Sequence, residues 1–273
     1  MRFFKLLIDF YLNASIHVAF SVYAFLRITE LYFELPYNKN LNYFIFFGTI
    51  SGYNFVKYAG VAKLHHRSLT KDLKIIQVFS FFCFLALLFY ASQISLKTHY
   101  FTMPFTLLTI LYAVPFLSGF EKNLRAVSYL KIIVVAFVWA GFTVLIPLIE
   151  VGKEISLEIV LSLVQRFVIV VVLILPFDIR DVKYDAISLQ TIPKKIGVQK
   201  TKKLGLMLMI FSLVLEYVHT SNVIVKTPFM IFFFLLIVLL MRAKTYQSKY
   251  FSSFWVELLP IVWWLLLLGF DNF

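Results

Sequence analysis

Nine long apolar stretches, separated by short polar segments, account for most of the chain. A helix that crosses a bilayer needs about 20 mainly apolar residues, and each stretch is close to that length. The pattern therefore predicts an all-α membrane protein, a bundle of nine transmembrane helices. The predicted spans are 8–28, 42–62, 74–94, 99–118, 129–149, 157–181, 203–220, 223–241 and 254–270.

Basic residues concentrate on one side of this predicted bundle. If the N-terminus is cytoplasmic, 20 of the 26 Lys and Arg residues fall in cytoplasmic segments, five fall in external segments and Arg166 lies within a span. Cytoplasmic loops of membrane proteins carry such an excess of positive charge. We therefore expect a cytoplasmic N-terminus and an external C-terminus. The expected location is the inner (cytoplasmic) membrane of a bacterium.

The composition supports a single membrane-embedded domain covering residues 1–273. Hydrophobic residues make up 61% of the chain and charged residues only 15%, well below the roughly 25% typical of soluble domains. The net charge of +12 is spread in short clusters between apolar spans, which favours contact with membrane lipid and argues against nucleic acid as a partner. The one cysteine, Cys83, offers neither a disulfide nor a cysteine metal site.

Three aspartates follow the most apolar stretch directly, in the sequence LPFDIRDVKYDAISLQTIPKKIG from Leu175 to Gly197. If the helix continues, Asp178, Asp181 and Asp185 lie within an arc of about 60° on one face, at about 100° per residue. Three carboxylates at a helix C-terminus repel one another and oppose the helix dipole. A bound cation would relieve both penalties.

Carboxylate oxygens on a partly solvated face suit Mg²⁺, which completes its shell with water and phosphate oxygens. The neighbouring bases Arg180, Lys183, Lys194 and Lys195 could neutralise a diphosphate bridged by that metal. The alternative is a solvated loop of surface ion pairs at the end of a helix. The spacing on one face, with basic residues around it, favours the metal–phosphate site.

A second polar cluster lies at the end of the second predicted span, between Phe47 and Lys71. Asn54, Tyr58 and Ala62 repeat every fourth residue, so they share one helix face. The adjacent histidines 65 and 66 in the loop that follows cannot share a helix face, which argues against zinc and favours a solvated basic loop. Arg67 and Lys57 are candidate anion contacts.

The aspartate-rich stretch resembles the second motif of the UbiA-type intramembrane prenyltransferases. Asp181-x-x-x-Asp185 matches the core of that motif, Asp178 matches the polar position before it, and 191–197 matches its tail. The resemblance continues elsewhere in the chain. Asn54 matches the asparagine that opens the first motif, 67–69 resembles the Arg-Pro-Leu after it, and 112–115 resembles the Tyr-x-x-Pro that ends the fourth helix.

This resemblance implies a helical bundle around a lipid-accessible cavity with its active-site side facing the cytoplasm. It implies a polyprenyl diphosphate donor, a lipophilic acceptor and Mg²⁺ as cofactor. The implied metal ligands are Asp178, Asp181 and Asp185. The candidates for diphosphate contact are Asn54, Arg67, Lys183 and Lys194, and further site candidates are Lys57, Tyr58 and Tyr112.

The chain departs from the family at its first motif. The family has aspartates four and eight residues after the asparagine, where this sequence has Tyr58 and Ala62. Either one Mg²⁺ on the second motif suffices, or another residue substitutes, or the chemistry differs. Lys57 or Arg180 could supply a fixed positive charge in place of a metal. The alternative function is a non-catalytic relative that binds an isoprenoid or lipid, or scaffolds a membrane partner.

A few polar residues fall inside the predicted spans, where ionisable groups are costly. Asp9 and Glu257 lie near the cytoplasmic boundary, where they could face the cavity mouth or pair with a base. Arg166 is too deep in its span to join the aspartate cluster, and a structural partner is expected for it. His17 is expected to be a hydrogen-bonded interior group.

Overall fold

The computed structural model describes residues 2–62, 71–113, 130–183, 191–219 and 223–271, and every regular element in these ranges is helical. π-Helical turns at Gly141–Leu145 and Phe251–Val256 connect α6 to α7 and lead into α12. The predicted all-α class is confirmed for these residues. The helices are α1 (Arg2–Asn13), α2 (Ile16–Tyr32), α3 (Lys39–Ala62), α4 (Lys71–Ala91), α5 (Leu96–Ala113), α6 (Leu130–Ala140), α7 (Ile146–Glu150), α8 (Leu157–Asp181), α9 (Ile192–Ile196), α10 (Val198–His219), α11 (Val223–Arg242) and α12 (Glu257–Asp271).

Five helical stretches in the described ranges are long and apolar enough to cross a membrane, and α1 with α2 would make a sixth. The protein is therefore an integral membrane protein. The other predicted spans overlap α3, α5 and α10, which are helical but less apolar. The count of nine spans and their orientation stay predictions. The five stretches are Leu73–Ala91, Leu130–Glu150, Leu157–Asp181, Val225–Arg242 and Phe251–Phe270.

A bend of 59° separates α1 from α2, so the first predicted span, 8–28, is not one continuous helix. The chain turns at Ser15, which has a φ of 61°, a value uncommon for residues other than glycine. Asn54 of α3 stabilises the turn, since its Oδ1 accepts from the Ser15 hydroxyl at 2.7 Å and its Nδ2 donates to the Ala14 carbonyl at 3.0 Å.

The core is built around α8, which packs against α6, α10 and α11. Aromatic side chains fill the space between α2, α11 and α12. Trp263 stacks on Phe232 with ring centroids 4.7 Å apart, and Phe25 meets Trp263 edge-on at 6.2 Å. All three side chains are fully buried. This packing joins α2, α11 and α12 in the interior of the bundle.

Arg166 is buried in this core, and the expectation of a structural partner is confirmed. Its guanidinium donates to the Phe25 carbonyl at 2.7 Å and to the Thr143 hydroxyl at 3.3 Å. It also lies over the Phe25 ring, 4.3 Å from the ring centre. These contacts satisfy a charge that would otherwise be costly inside the bundle.

Replacement of Gly141 by Ala is expected to destabilise the bundle by about 1–3 kcal/mol, the usual cost of overpacking a core. A Cβ at this position would collide with the ring of Phe105, which is buried and packs against Phe137 and Phe142. Gly269→Ala is the matched control, because no atom lies within 4 Å of its added Cβ and its stability should change by less than about 1 kcal/mol. Thermal unfolding in detergent measures both, and equal unfolding temperatures would contradict this account of Gly141.

Candidate functional site

A cavity of about 900 Å³ lies inside the bundle, lined by residues of α1 to α6, α8 and α12. Its lining runs along α3 from Phe44 to Lys57 and along α5 from His99 to Tyr112. Fourteen residues of helix in each case span about 20 Å, at about 1.5 Å per residue. The volume falls in the range of sites that enclose a small molecule, about 300–1,000 Å³. The cavity is therefore long enough for an elongated ligand.

The middle of the cavity has mainly apolar walls, which α2, α3, α6 and α8 contribute. Apolar walls favour a hydrocarbon ligand because they offer it a site removed from water. Side chains of this wall include Val22, Ile45, Val138, Val170, Leu173 and Ile174.

Charged side chains gather at one end of the cavity, where α3 and α8 end and α6 and α12 begin. Contacts between these elements show that they share this end. Arg180 of α8 donates to the Ser253 hydroxyl just before α12 at 3.3 Å, and Glu257 interacts electrostatically with Lys57 and Arg180. In the described ranges, four cations and three carboxylates line this end, namely Lys57, Lys131, Arg180, Lys249, Asp9, Asp181 and Glu257.

The two described aspartates of the second motif have different surroundings. Asp178 is 1% exposed and binds Lys131 of α6 at 3.0 Å, and it is not among the described residues that line the cavity. Asp181 lines the cavity and accepts two hydrogen bonds from Arg180, at 2.7 and 3.2 Å. α8 ends at Asp181, as its predicted span does, and residues 182 and 183 form a turn, so the helix that would place all three aspartates on one face does not continue past Asp181. Asp185 itself lies outside the described residues.

A preformed metal centre is not present among the described residues, since they contain no group of three His, Cys, Asp or Glu side chains arranged to hold an ion. Asp181 nevertheless fits one protein ligand of a divalent ion. Its carboxylate is 26% exposed and faces the cavity. Mg²⁺ commonly takes only one or two carboxylates and completes its shell with phosphate oxygens and water.

The face of α3 that resembles the first motif stabilises the turn between α1 and α2. Lys57 donates to the Leu12 carbonyl at 3.3 Å and to the Ser15 hydroxyl at 2.9 Å, and the Tyr58 hydroxyl donates to the Asn13 carbonyl at 3.0 Å. These donors satisfy carbonyl groups at the C-terminus of α1. Lys57 also lines the cavity, where its ammonium supplies positive charge.

The other predicted site residues differ in their position relative to the cavity. Tyr112 is buried and lines the cavity. Asn54 is buried behind the wall and donates to the Ser80 hydroxyl at 2.8 Å as well as to the α1–α2 turn. Lys183 is exposed, with its ammonium 4.4 Å from the ring centre of Tyr246, and Lys194 lies on α9. Ala62 is the last residue of α3, and Arg67 lies outside the described residues.

Residues that the sequence reasoning did not single out complete the charged end. Lys131 neutralises Asp178, and Lys249 binds Asp9 at 2.6 Å. Tyr250 also donates to Asp9, at 2.8 Å. The hydrogen bond to Asp9 raises the pKa of Lys249. The available signal for Lys131 was its position at the start of a predicted span.

For Asp9 and Glu257 the sequence left alternatives open, a place at the cavity mouth or a pairing with a base. Both residues line the cavity, and Asp9 also pairs with Lys249. The expectation for His17 is confirmed. His17 is an interior hydrogen-bonded group, with Nδ1 2.9 Å from the Tyr11 hydroxyl and Nε2 2.9 Å from the Phe254 carbonyl.

Comparisons with solved structures cover nearly the whole chain. A structure of digeranylgeranylglyceryl phosphate synthase is 14% identical, covers 98% of this chain and 98% of its own, and has a TM-score of 0.57. A UbiA homolog from Archaeoglobus fulgidus bound to DMAPP and Mg²⁺ is 12% identical, with 96% and 94% covered and a TM-score of 0.51. The same homolog bound to GPP and Mg²⁺ gives 12% identity, 97% and 95% coverage and a TM-score of 0.51.

By sequence, no family model and no curated protein matches the chain. At 12–14% identity, the structural likeness establishes the fold. The chain therefore has the fold of the UbiA-type intramembrane prenyltransferases, in agreement with the resemblance carried by its motifs.

Proposed function

We propose that this protein is an intramembrane prenyltransferase that moves a prenyl chain from a polyprenyl diphosphate to a hydrophobic or aromatic acceptor. The observation that carries the proposal is the form of the cavity. It is about 900 Å³ in volume, apolar through its middle and charged at one end. A prenyl diphosphate has the same division into a long hydrocarbon and a polyanionic head. The UbiA homolog of the same fold binds DMAPP or GPP together with Mg²⁺.

The diphosphate would lie at the charged end, with its hydrocarbon along the apolar wall. Asp181 would hold Mg²⁺ bridged to the diphosphate, and Asp178 and Asp185 remain predicted ligands. Mg²⁺ would neutralise charge on the leaving diphosphate. Lys57 and Arg180 line the same end and would supply fixed positive charge. That fixed charge would take the place of the metal ion that the first-motif positions cannot hold without carboxylates.

The proposed reaction breaks the C1–O bond of the donor, and diphosphate leaves with the electron pair. The acceptor atom then attacks the allylic carbocation at C1, forms the new bond and releases a proton. The apolar walls would exclude water, which would otherwise capture the carbocation. Arg180 and Lys57 would stabilise the negative charge that develops on the departing diphosphate.

A second function, binding of an isoprenoid or lipid without catalysis, is favoured by one observation. The two described aspartates of the second motif are each neutralised by a basic residue, Asp178 by Lys131 and Asp181 by Arg180. A metal at Asp181 must therefore compete with the Arg180 guanidinium. The exposure of the Asp181 carboxylate in the cavity supports the enzyme as the better proposal.

The placement proposed for residues 1–273 is one domain with nine spans in the bacterial inner membrane. The N-terminus and the charged end of the cavity would face the cytoplasm. The distribution of Lys and Arg supports this orientation. It would give the charged end access to water-soluble diphosphate and Mg²⁺, while membrane lipid and the lipophilic acceptor approach from the bilayer.

Removal of Mg²⁺ is expected to abolish prenyl transfer. Purified protein in lipid nanodiscs is incubated with labelled DMAPP, GPP or geranylgeranyl diphosphate and a membrane-lipid extract, in Mg²⁺ or in EDTA. Labelled lipid product and free pyrophosphate should form only with Mg²⁺. If neither forms, while pyrophosphate with Mg²⁺ still raises the unfolding temperature, the function is binding alone. If neither ligand changes the unfolding temperature, the metal–diphosphate site is wrong.

A further inference from the structure

Glu257 is a cavity carboxylate without a hydrogen-bonding partner or an ion-pairing partner in the described part of the chain. The other two carboxylates that line the charged end are occupied. Asp9 binds Lys249 and Tyr250, and Asp181 binds Arg180. An ionisable side chain held at membrane depth without a hydrogen bond or an ion pair points to a functional role.

The backbone that carries Glu257 is held in an unusual conformation. Glu257 follows the π-helical turn Phe251–Val256, and such turns are rare and frequent at functional sites. Two polar residues one turn apart on α2 bind the carbonyl groups of this region. His17 Nε2 lies 2.9 Å from the Phe254 carbonyl, and the Ser21 hydroxyl donates to the Glu257 carbonyl. Contacts with α2 thus fix the backbone of this region, and the Glu257 side chain lines the cavity.

Glu257 also lies close to the groups that would surround a reacting donor. It interacts electrostatically with Lys57 and Arg180, which line the same end of the cavity, and with Tyr53 of α3. Tyr53 lines the cavity as well, and its hydroxyl accepts from Trp139 Nε1 at 2.9 Å. The carboxylate therefore lies beside the diphosphate end while sharing no ligand position with the second motif.

We propose that Glu257 accepts the proton that the acceptor loses in the prenyl transfer. The proposal rests on the function proposed above. As the acceptor oxygen or carbon bonds to C1 of the prenyl cation, its O–H or C–H bond breaks and the proton moves to the Glu257 carboxylate. The electron pair of that bond stays with the acceptor, as the oxygen lone pair or within its π-system. The proton then leaves to water at the charged end of the cavity.

The test replaces Glu257 by Gln, which keeps the size of the side chain and removes the proton acceptor. Geranylgeranyl diphosphate is the donor, and 4-hydroxybenzoate, 1,4-dihydroxy-2-naphthoate and a prenylated glycerol phosphate are tried as acceptors. General base catalysis contributes about 10²–10⁴-fold, so kcat should fall by that factor. The dissociation constant of the donor should stay within about twofold of wild type, because donor binding is not altered.

Two further variants separate chemistry from structure. Glu257→Ala should regain transfer when formate is added, because a small carboxylate can replace the missing base, and a structural role would not respond. Glu154→Gln, in an exposed loop before α8, is the control for the same chemical change and should match wild type.

Transfer by Glu257→Gln within about threefold of wild type overturns the proposal. Loss of donor binding in that variant also overturns it, because Glu257 would then belong to the donor site. Failure of the wild-type protein to transfer to any acceptor is a different result and overturns the proposed function itself.

Discussion

Replacement of Asp181 by Asn is expected to lower prenyl transfer by about 10²–10³-fold, the usual loss when one group that stabilises transition-state charge is removed. Asp181 is the described second-motif carboxylate that faces the cavity. An amide is a poor ligand for Mg²⁺ in this position, so charge on the leaving diphosphate would be less well neutralised. Release of labelled pyrophosphate under single-turnover conditions measures the chemical step.

Arg180→Gln gives the informative comparison, because it removes the ion pair with Asp181 and keeps the carboxylate. If Asp181 acts through a metal, this variant should bind Mg²⁺ more tightly while it loses part of its affinity for diphosphate. If Asp181 serves only to hold Arg180, the two variants should lose transfer equally. Unchanged transfer in Asp181→Asn would remove Asp181 from the donor site.

The sequence predicted the helices well because each apolar stretch had to satisfy its backbone hydrogen bonds internally. All nine predicted spans overlap helices in the described ranges. The bend between α1 and α2 was missed, because apolar residues continue on both sides of Ala14 and Ser15 and the turn depends on Asn54 of another helix. A periodicity argument cannot detect a contact that far along the chain.

The sequence predicted only the part of the candidate site that lies on a single helix. Asp178 and Asp181 are neighbours on one helix, so their spacing placed them at the same end of α8. The cations beside them come from distant segments. Lys131 is 47 residues from Asp178, and Lys249 is 240 residues from Asp9. These pairings depend on how the helices pack, which local spacing does not determine.

Glu216 in the core is another residue whose contacts local spacing does not determine. Its carboxylate is fully buried in α10 and accepts hydrogen bonds from the Tyr32 hydroxyl at 2.8 Å and from Gln165 Nε2 at 2.7 Å. Nothing in the local sequence of α10 distinguishes this glutamate from one that reaches the membrane surface. The packing of α2, α8 and α10 makes it a structural residue, and it is not among the described residues that line the cavity.

Lys131→Met is expected to destabilise the protein by about 3 kcal/mol, the lower end of the cost of breaking a buried ion pair by removing one partner. Asp178 would remain buried without the Lys131 ammonium, which now lies 3.0 Å from its Oδ1. The lower end applies because the lysine side chain is 24% exposed and water can reach part of it. Equilibrium unfolding in mixed detergent measures the change.

The double variant Lys131→Met/Asp178→Leu separates this loss from a general effect on packing. Replacing both members of a buried ion pair by apolar residues is often neutral, so the double variant should recover most of the lost stability. Lys97→Met, at an exposed site in α5, should change stability by less than about 0.5 kcal/mol.

Addition of Mg²⁺ to Lys131→Met then distinguishes two roles for Asp178. Recovery of stability would show that a metal can take the place of the ammonium, as the motif predicts for this aspartate. No recovery would make Asp178 a structural anchor for Lys131 and leave Asp181 as the metal ligand among the described aspartates of the motif.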